Sequence, residues 1–223
     1  CLVVLTHILS VMVLTDLILV MTFQSFYKHL NVNCMKPVPV NFQLIFQTFC
    51  ILFLGGFSLI TNAADRLSRI EEDLIEQSSI SHLTHGIVVS AMENSDNLVL
   101  FDVREIDEYE VSHLDKAIRV DPDISGEEFL QRYGEELTGK QVIFYCSTGR
   151  RSTSLAERVK TVIDTQHSPL PAPSNMRGGI FRWHNSSQPL INQSGDTAYV
   201  HPYNWWWKRL VTRKDFTSYN PVE

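Results

Sequence analysis

The chain has 223 residues, with 19 Lys plus Arg against 25 Asp plus Glu and 44% apolar residues. That length provides for one domain or two small ones with a buried core. A net charge of −6 excludes a general electrostatic attraction to nucleic acid or anionic lipid, so no nucleic-acid partner is expected.

These averages join two unlike parts. Residues 1–64 carry Asp16, Lys28 and Lys36 as their only Asp, Glu, Lys or Arg, which leaves −7 for the remainder. From Cys1 to Phe23 the sequence is almost continuously apolar, and a second apolar block runs from Phe42 to Ile60. The second block reads as a secretory signal: Met35-Lys36 supplies a positive start, residues 43–60 the apolar stretch, and Thr61 to Ala64 small residues for cleavage. A mature chain would then begin near Asp65. The alternative is an uncleaved anchor, since the block approaches the roughly 20 residues that span a bilayer.

Met35 is read as the start of translation. Residues 1–34 are an upstream segment outside the natural protein or a transmembrane helix, in which Asp16 would cost about 2.5–3.5 kcal/mol at mid-bilayer. The expected location is periplasmic or exported, in a bacterium, or anchored to the inner membrane with the domain outside the cytoplasm. Membrane contact is expected only through this N-terminal segment. Cys1, Cys34 and Cys50 all lie in it, leaving Cys146 alone in the remaining chain. A lone Cys in an exported domain is either buried and inert or a working thiol.

Residues 65–79 contain a lead-in helix, with Leu67, Ile70 and Leu74 at helical spacing. Gly86 to Val89 reads as a short strand and Asn97 to Asp102 as a stronger one, an apolar run of the kind that suits a buried parallel strand. Glu105 to Val111 is expected to form a short acidic helix, and Ala117 to Val120 another strand. Ser125 and Glu128 fit a helix-start pattern, with Phe129, Leu130, Tyr133 and Leu137 on one face behind it. Gln141 to Tyr145 is the clearest strand and ends at Cys146. A helix follows from about Ser152 to Ile163, with Leu155, Val159 and Val162 facing the core, and the prolines between His167 and Pro173 break it. This alternation predicts an α/β fold: a central, mainly parallel sheet flanked by helices on both faces.

Cys146 is thereby placed at the carboxyl end of a central strand, where open α/β sheets bind ligands. Ser147, Thr148, Gly149, Arg150 and Arg151 lead from it into a helix. A loop of this kind can turn its N–H groups inward while the helix end adds partial positive charge, a cradle that would stabilise a thiolate. Gly149 permits a backbone conformation that a side chain would often obstruct. A small buried Cys at a strand end is common in ordinary cores, but no packing requirement calls for two guanidinium groups beside one.

Four stretches then resemble, in order, those of a single-domain rhodanese, a sulfurtransferase: Leu100 to Glu105 with Glu108-Tyr109; His113 to Ile118; Val142 to Ser152; and Met176 to Trp183. The resemblance covers residues 80–192 and leaves 193–223 as an aromatic C-terminal tail. It implies that Cys146 takes a sulfane sulfur from a small anionic donor such as thiosulfate as a persulfide and passes it to a thiol, cyanide or a protein acceptor. No cofactor or metal is implied. Ser147 to Arg151 would form the loop that holds the persulfide and the donor, with Asp102, Arg104 and Ser152 as its support. Ser112 and Lys116 stand where the family usually has Gly.

Two other readings remain. One is a non-catalytic rhodanese-like binding or persulfide-carrier module. The other is a Cys-based phosphatase or arsenate reductase, in which five residues separate Cys from Arg; here that position is Ser152, and Arg151 gives a smaller loop. His82 and His85 read as surface or capping residues, since nothing nearby completes a metal site. The tail residues Trp205, Trp206 and Trp207 are expected to pack over the domain, where they could gate access to Cys146 if they lie near it.

Overall fold

The computed structural model describes residues 63–93 and 95–222. The readings of residues 1–34 and of the signal or anchor segment lie outside the described residues, apart from Ala63 and Ala64. Among the described residues no helix is long and apolar enough to cross a membrane.

Two pentapeptides with four apolar residues each, Leu98–Asp102 (β2) and Gln141–Tyr145 (β4), form the centre of the sheet and pair in parallel, with Leu100 opposite Ile143 and Asp102 opposite Tyr145. Ser81–Leu83 (β1), Ser174–Met176 (β5) and Ile118–Arg119 (β3) complete a five-stranded sheet in the order β1-β5-β4-β2-β3. All four pairings are parallel, as expected for a sheet covered on both faces.

The period of two along each strand divides the core. Val99, Phe101, Val142 and Phe144 pack with Phe129 and Leu155 in one cluster; Leu100, Ile143 and Tyr145 pack with Leu67, Val88, Ile180 and Trp183 in the other. Helices Gly126–Tyr133 (α4) and Arg150–Thr165 (α5) therefore cover the first face, and Ala63–Gln77 (α1), His85–Glu93 (α2) and Gly179–Asn185 (α6) the second. The rings of Phe101 and Phe144 stack at 5.2 Å between centroids. Each such buried ring stabilises the fold by about 1.5–3 kcal/mol relative to exposure. Ile106–Val111 (α3) links β2 to β3.

One expected element is corrected. Gly86 to Val89 is not a strand; it lies in α2, with Val88 in the core, and the strand at this edge is the polar Ser81–Leu83 immediately before it. A β-branched triplet favours a strand only weakly when its burial can be met on a helix face.

Beyond α6 come a hairpin, Leu190–Asn192 (β6) with Gly195–Thr197 (β7), and an extended segment that returns to the domain. Val200, Leu210 and Val211 from this segment join the α1-side core. The three tryptophans part ways: Trp207 packs against that core, whereas Trp205 and Trp206 are 62% and 59% exposed, contrary to a packing role for all three. Their rings lie 4.1 Å apart, and the Arg209 guanidinium stands 3.9 Å from the centroid of Trp206.

Candidate active site

Strand β4 delivers Cys146 buried at the carboxyl edge of the sheet, and α5 begins at Arg150, so Ser147, Thr148 and Gly149 make the whole turn. Gly149 has φ of +99°, a conformation open to glycine and strained for other residues. Its N–H donates to Cys146 Sγ at 3.2 Å, and its carbonyl accepts from both the N–H and the hydroxyl of Thr153.

The carbonyls of the loop are drawn the opposite way by α6. Ile180 N–H donates to Cys146 O at 2.9 Å and Phe181 N–H to Ser147 O at 3.0 Å. These are N–H groups that a helix start leaves without intrahelical partners, and here they hold the loop backbone. The approach is so close that Gly179, at φ of +56°, has no room for a Cβ against Cys146 O.

Glu108, from α3, fixes the side chains of the loop. It is 1% exposed, accepts from Ser147 Oγ at 2.5 Å and faces Arg151 at 2.7 Å; Arg151 also donates to Ser147 Oγ at 3.0 Å. Burial works against the charge of Arg151, but its interactions with Cys146 and Glu108 outweigh that and raise its pKa. The Arg151 guanidinium in turn lies 5.0 Å from the ring centroid of Tyr203. Arg150 is exposed at the rim.

Asp102 and Arg104 stand at the end of β2 as a fully buried bidentate pair, Nε to Oδ1 at 2.7 Å and Nη2 to Oδ2 at 2.6 Å. Burial opposes the charge on Arg104, yet Asp102 keeps its pKa above the ordinary arginine value. Nη2 also donates to Ser112 O at 2.6 Å, so the pair ties β2 to the 112–114 turn, while Val103 N–H donates to Tyr145 O beside Cys146. Burial pushes the Tyr145 hydroxyl well above its ordinary pKa, and it accepts from Leu114 N–H at 3.1 Å.

Ser152 donates to Asn175 Oδ1 at 2.7 Å, and Asn175 Nδ2 lies 3.2 Å from His82 Nδ1. The start of α5 is thereby joined to β5 and to the residue before Leu83. His85 packs edge-on to Trp183, and burial, then Arg182, lowers its pKa to about 4. Among the described residues no group of three or more His, Cys, Asp or Glu is placed to hold a metal.

Cys146, Ser147, Thr148, Arg150 and Arg151 line one cavity of about 220 Å³, and Tyr203 and Trp207 from the C-terminal segment close its other side. The lining takes in the expected loop except Gly149, whose N–H reaches Cys146 Sγ from outside it. Asp102, Arg104 and Ser152 stand behind the loop, outside the lining. Glu108, Asn175 and Gly179 were not assigned by sequence reasoning. Their signal is faint: Glu108 and Gly179 fall within matching stretches, but burial against the loop cannot be read from residue type. An arrangement of this kind presents a sulfur nucleophile, a backbone N–H beside it and guanidinium groups at the entrance, and so suits attack on an anionic electrophile.

Residues 87–186 match the family model for the Rhodanese-like domain. Similar solved structures include a thiosulfate sulfurtransferase from Pseudomonas aeruginosa, at 22% identity and a TM-score of 0.42 over 59% of this chain and 23% of that one. An As-Sb reductase from Leishmania major matches at 16% identity and a TM-score of 0.44 over 51% and 86% of the two chains. A rhodanese-related protein from Thermoplasma volcanium matches at 20% identity and a TM-score of 0.37 over 50% and 97%. No curated protein matches the sequence.

Proposed function

We propose that the domain is a sulfurtransferase in which Cys146 takes a sulfane sulfur from a small anionic donor and yields it to a thiol or cyanide. The observation that carries this reading is the Cys146 sulfur at the base of an open cavity, with the Gly149 N–H 3.2 Å away and the nearby loop carbonyls of Cys146 and Ser147 turned to α6. In the first displacement the Cys146 thiolate attacks the terminal sulfur of thiosulfate, the S–S bond breaks, and sulfite leaves with the bonding pair. The persulfide anion that remains is held by the Gly149 N–H and the start of α5. In the second, the acceptor thiolate or cyanide attacks the outer sulfur and restores the Cys146 thiolate.

Arg151 follows Cys146 with four residues between, and the next position, Ser152, is engaged with Asn175. That spacing favours sulfur transfer over phosphoryl or arsenate chemistry in the same loop. Export of the domain, by way of the apolar N-terminal segment, is part of the same proposal.

The test is thiocyanate formation from thiosulfate and cyanide by the full chain and by Cys146→Ser. Turnover with parallel-line kinetics in the native chain and none in the variant is expected. Turnover that survives in Cys146→Ser would exclude the assignment.

A further inference from the structure

The cavity over Cys146 has two walls of different origin. One is the loop; the other is Tyr203 and Trp207, which lie beyond the residues matched by the family model. The backbone of this second wall is held by hydrogen bonds, and Tyr203 is 44% exposed. Tyr203 has φ of +62°, and its N–H donates to Nδ1 of the buried His201 at 3.0 Å. Trp207 is half-buried against the core, and Asn204 Oδ1 accepts from the N–H groups of Trp206 and Trp207.

The charge lining the cavity is largely balanced. Arg151 faces the buried Glu108 at 2.7 Å and also answers the anionic working form of Cys146, and Arg150 is exposed to solvent at the rim. A dianion entering such a site finds little uncompensated positive charge. A monoanion carrying an apolar group loses less on desolvation and gains burial against the two rings. About 220 Å³ far exceeds the ~10–15 Å³ needed by a water and approaches the ~300 Å³ at which pockets for larger organic ligands begin.

We propose that Tyr203 and Trp207 are specificity-determining residues that select an organic sulfane-sulfur donor of the thiosulfonate class, R–SO₂–S⁻, whose apolar group lies against their rings. This rests on the sulfurtransferase reading of Cys146. The thiolate attacks the terminal sulfur, the S–S bond breaks, and the sulfinate R–SO₂⁻ departs with the bonding pair. Cys146 keeps the sulfur as a persulfide anion. Two negative charges enter the step and two leave, and no external oxidant or reductant is required.

The test compares benzenethiosulfonate with methanethiosulfonate as donors to cyanide, using the full chain. The native chain should favour the benzene donor in kcat/KM. Tyr203→Ala and Trp207→Leu should each lower that preference about fivefold, through KM with kcat within about twofold, as loss of uniform binding requires. Tyr203→Phe should keep it, as should Trp205→Ala, whose exposed ring is not part of the lining. A preference unmoved in both wall variants, or lowered equally by Trp205→Ala, overturns this inference and leaves the sulfurtransferase reading standing. Failure of the native chain to transfer sulfur from either donor in a Cys146-dependent way removes both.

Discussion

Glu108 is the buried charge around which the Cys146 loop is arranged. Its carboxylate accepts from Ser147 and pairs with Arg151, so it both steadies the loop and takes up much of the guanidinium's charge. Under the proposed sulfur transfer these two effects act oppositely on turnover, and Glu108→Gln separates them. The loop loosens, and a weaker acceptor for Ser147 and Arg151 costs about 1–3 kcal/mol of stability. The freed Arg151 charge, however, attracts a dianionic donor more strongly. The expected outcome is a kcat about tenfold lower with a KM for thiosulfate about two- to fivefold lower, the latter equivalent to an ion-pair contribution of ~1 kcal/mol or less. Steady-state kinetics over a thiosulfate series checks this. A KM that rises together with the fall in kcat would mean that Glu108 merely keeps the loop folded.

At the scale of elements, the loop depends on α6 as much as on β4 and α5. The start of α6 binds the carbonyls of Cys146 and Ser147, and Gly179 is there because any Cβ would strike that backbone. Gly179→Ala meets both this collision and a left-handed φ, the second alone costing about 1–2 kcal/mol. It should lower stability by at least ~2 kcal/mol in urea unfolding and reduce activity more than tenfold. Gly86→Ala, in α2 where a Cβ meets nothing within 4 Å, should keep activity and stabilise by up to about 1 kcal/mol. Equal behaviour of the two variants would contradict the role given to α6.

The same scale shows what was legible beforehand. The strands β2 and β4 and the helix α5 are readable because apolar runs of four residues and a 3.6-residue period leave few alternatives. The three-residue β1 and β5 carry no such pattern; parallel pairing of β5 with β4 and of β1 with β5 defines them, and only the folded chain supplies it. Gly86 to Val89 was assigned to a strand because Ile and Val favour one, while the helix there follows from burial of Val88 against the second core. Within the site, the loop residues were legible since they are contiguous. Glu108, Asn175 and Gly179 were not, because each reaches the loop across a sequence separation that residue type alone does not encode. Lys116, noted as a departure from the family's Gly, has φ of +58°, so the departure falls on a position with a glycine-like backbone.

At the scale of the whole molecule, one cavity among the described residues draws on several parts of the fold. β4 and α5 bring Cys146 and its loop, and the segment from Tyr199 onward the aromatic side, while α3 and α6 hold the loop from outside the lining through Glu108 and the N–H groups of Ile180 and Phe181. The acidic balance of residues 65–223, which the composition of residues 1–64 obscures, is compatible with the proposed anionic donor, because the local field at the loop comes from its N–H groups and the start of α5 rather than from net charge. The proposed sulfur transfer requires a persulfide at Cys146. Incubation of the full chain with thiosulfate, followed by mass spectrometry of its peptides, should place one added sulfur on the peptide containing Cys146, removed on addition of cyanide. No added sulfur there, or one that cyanide does not remove, would contradict the account.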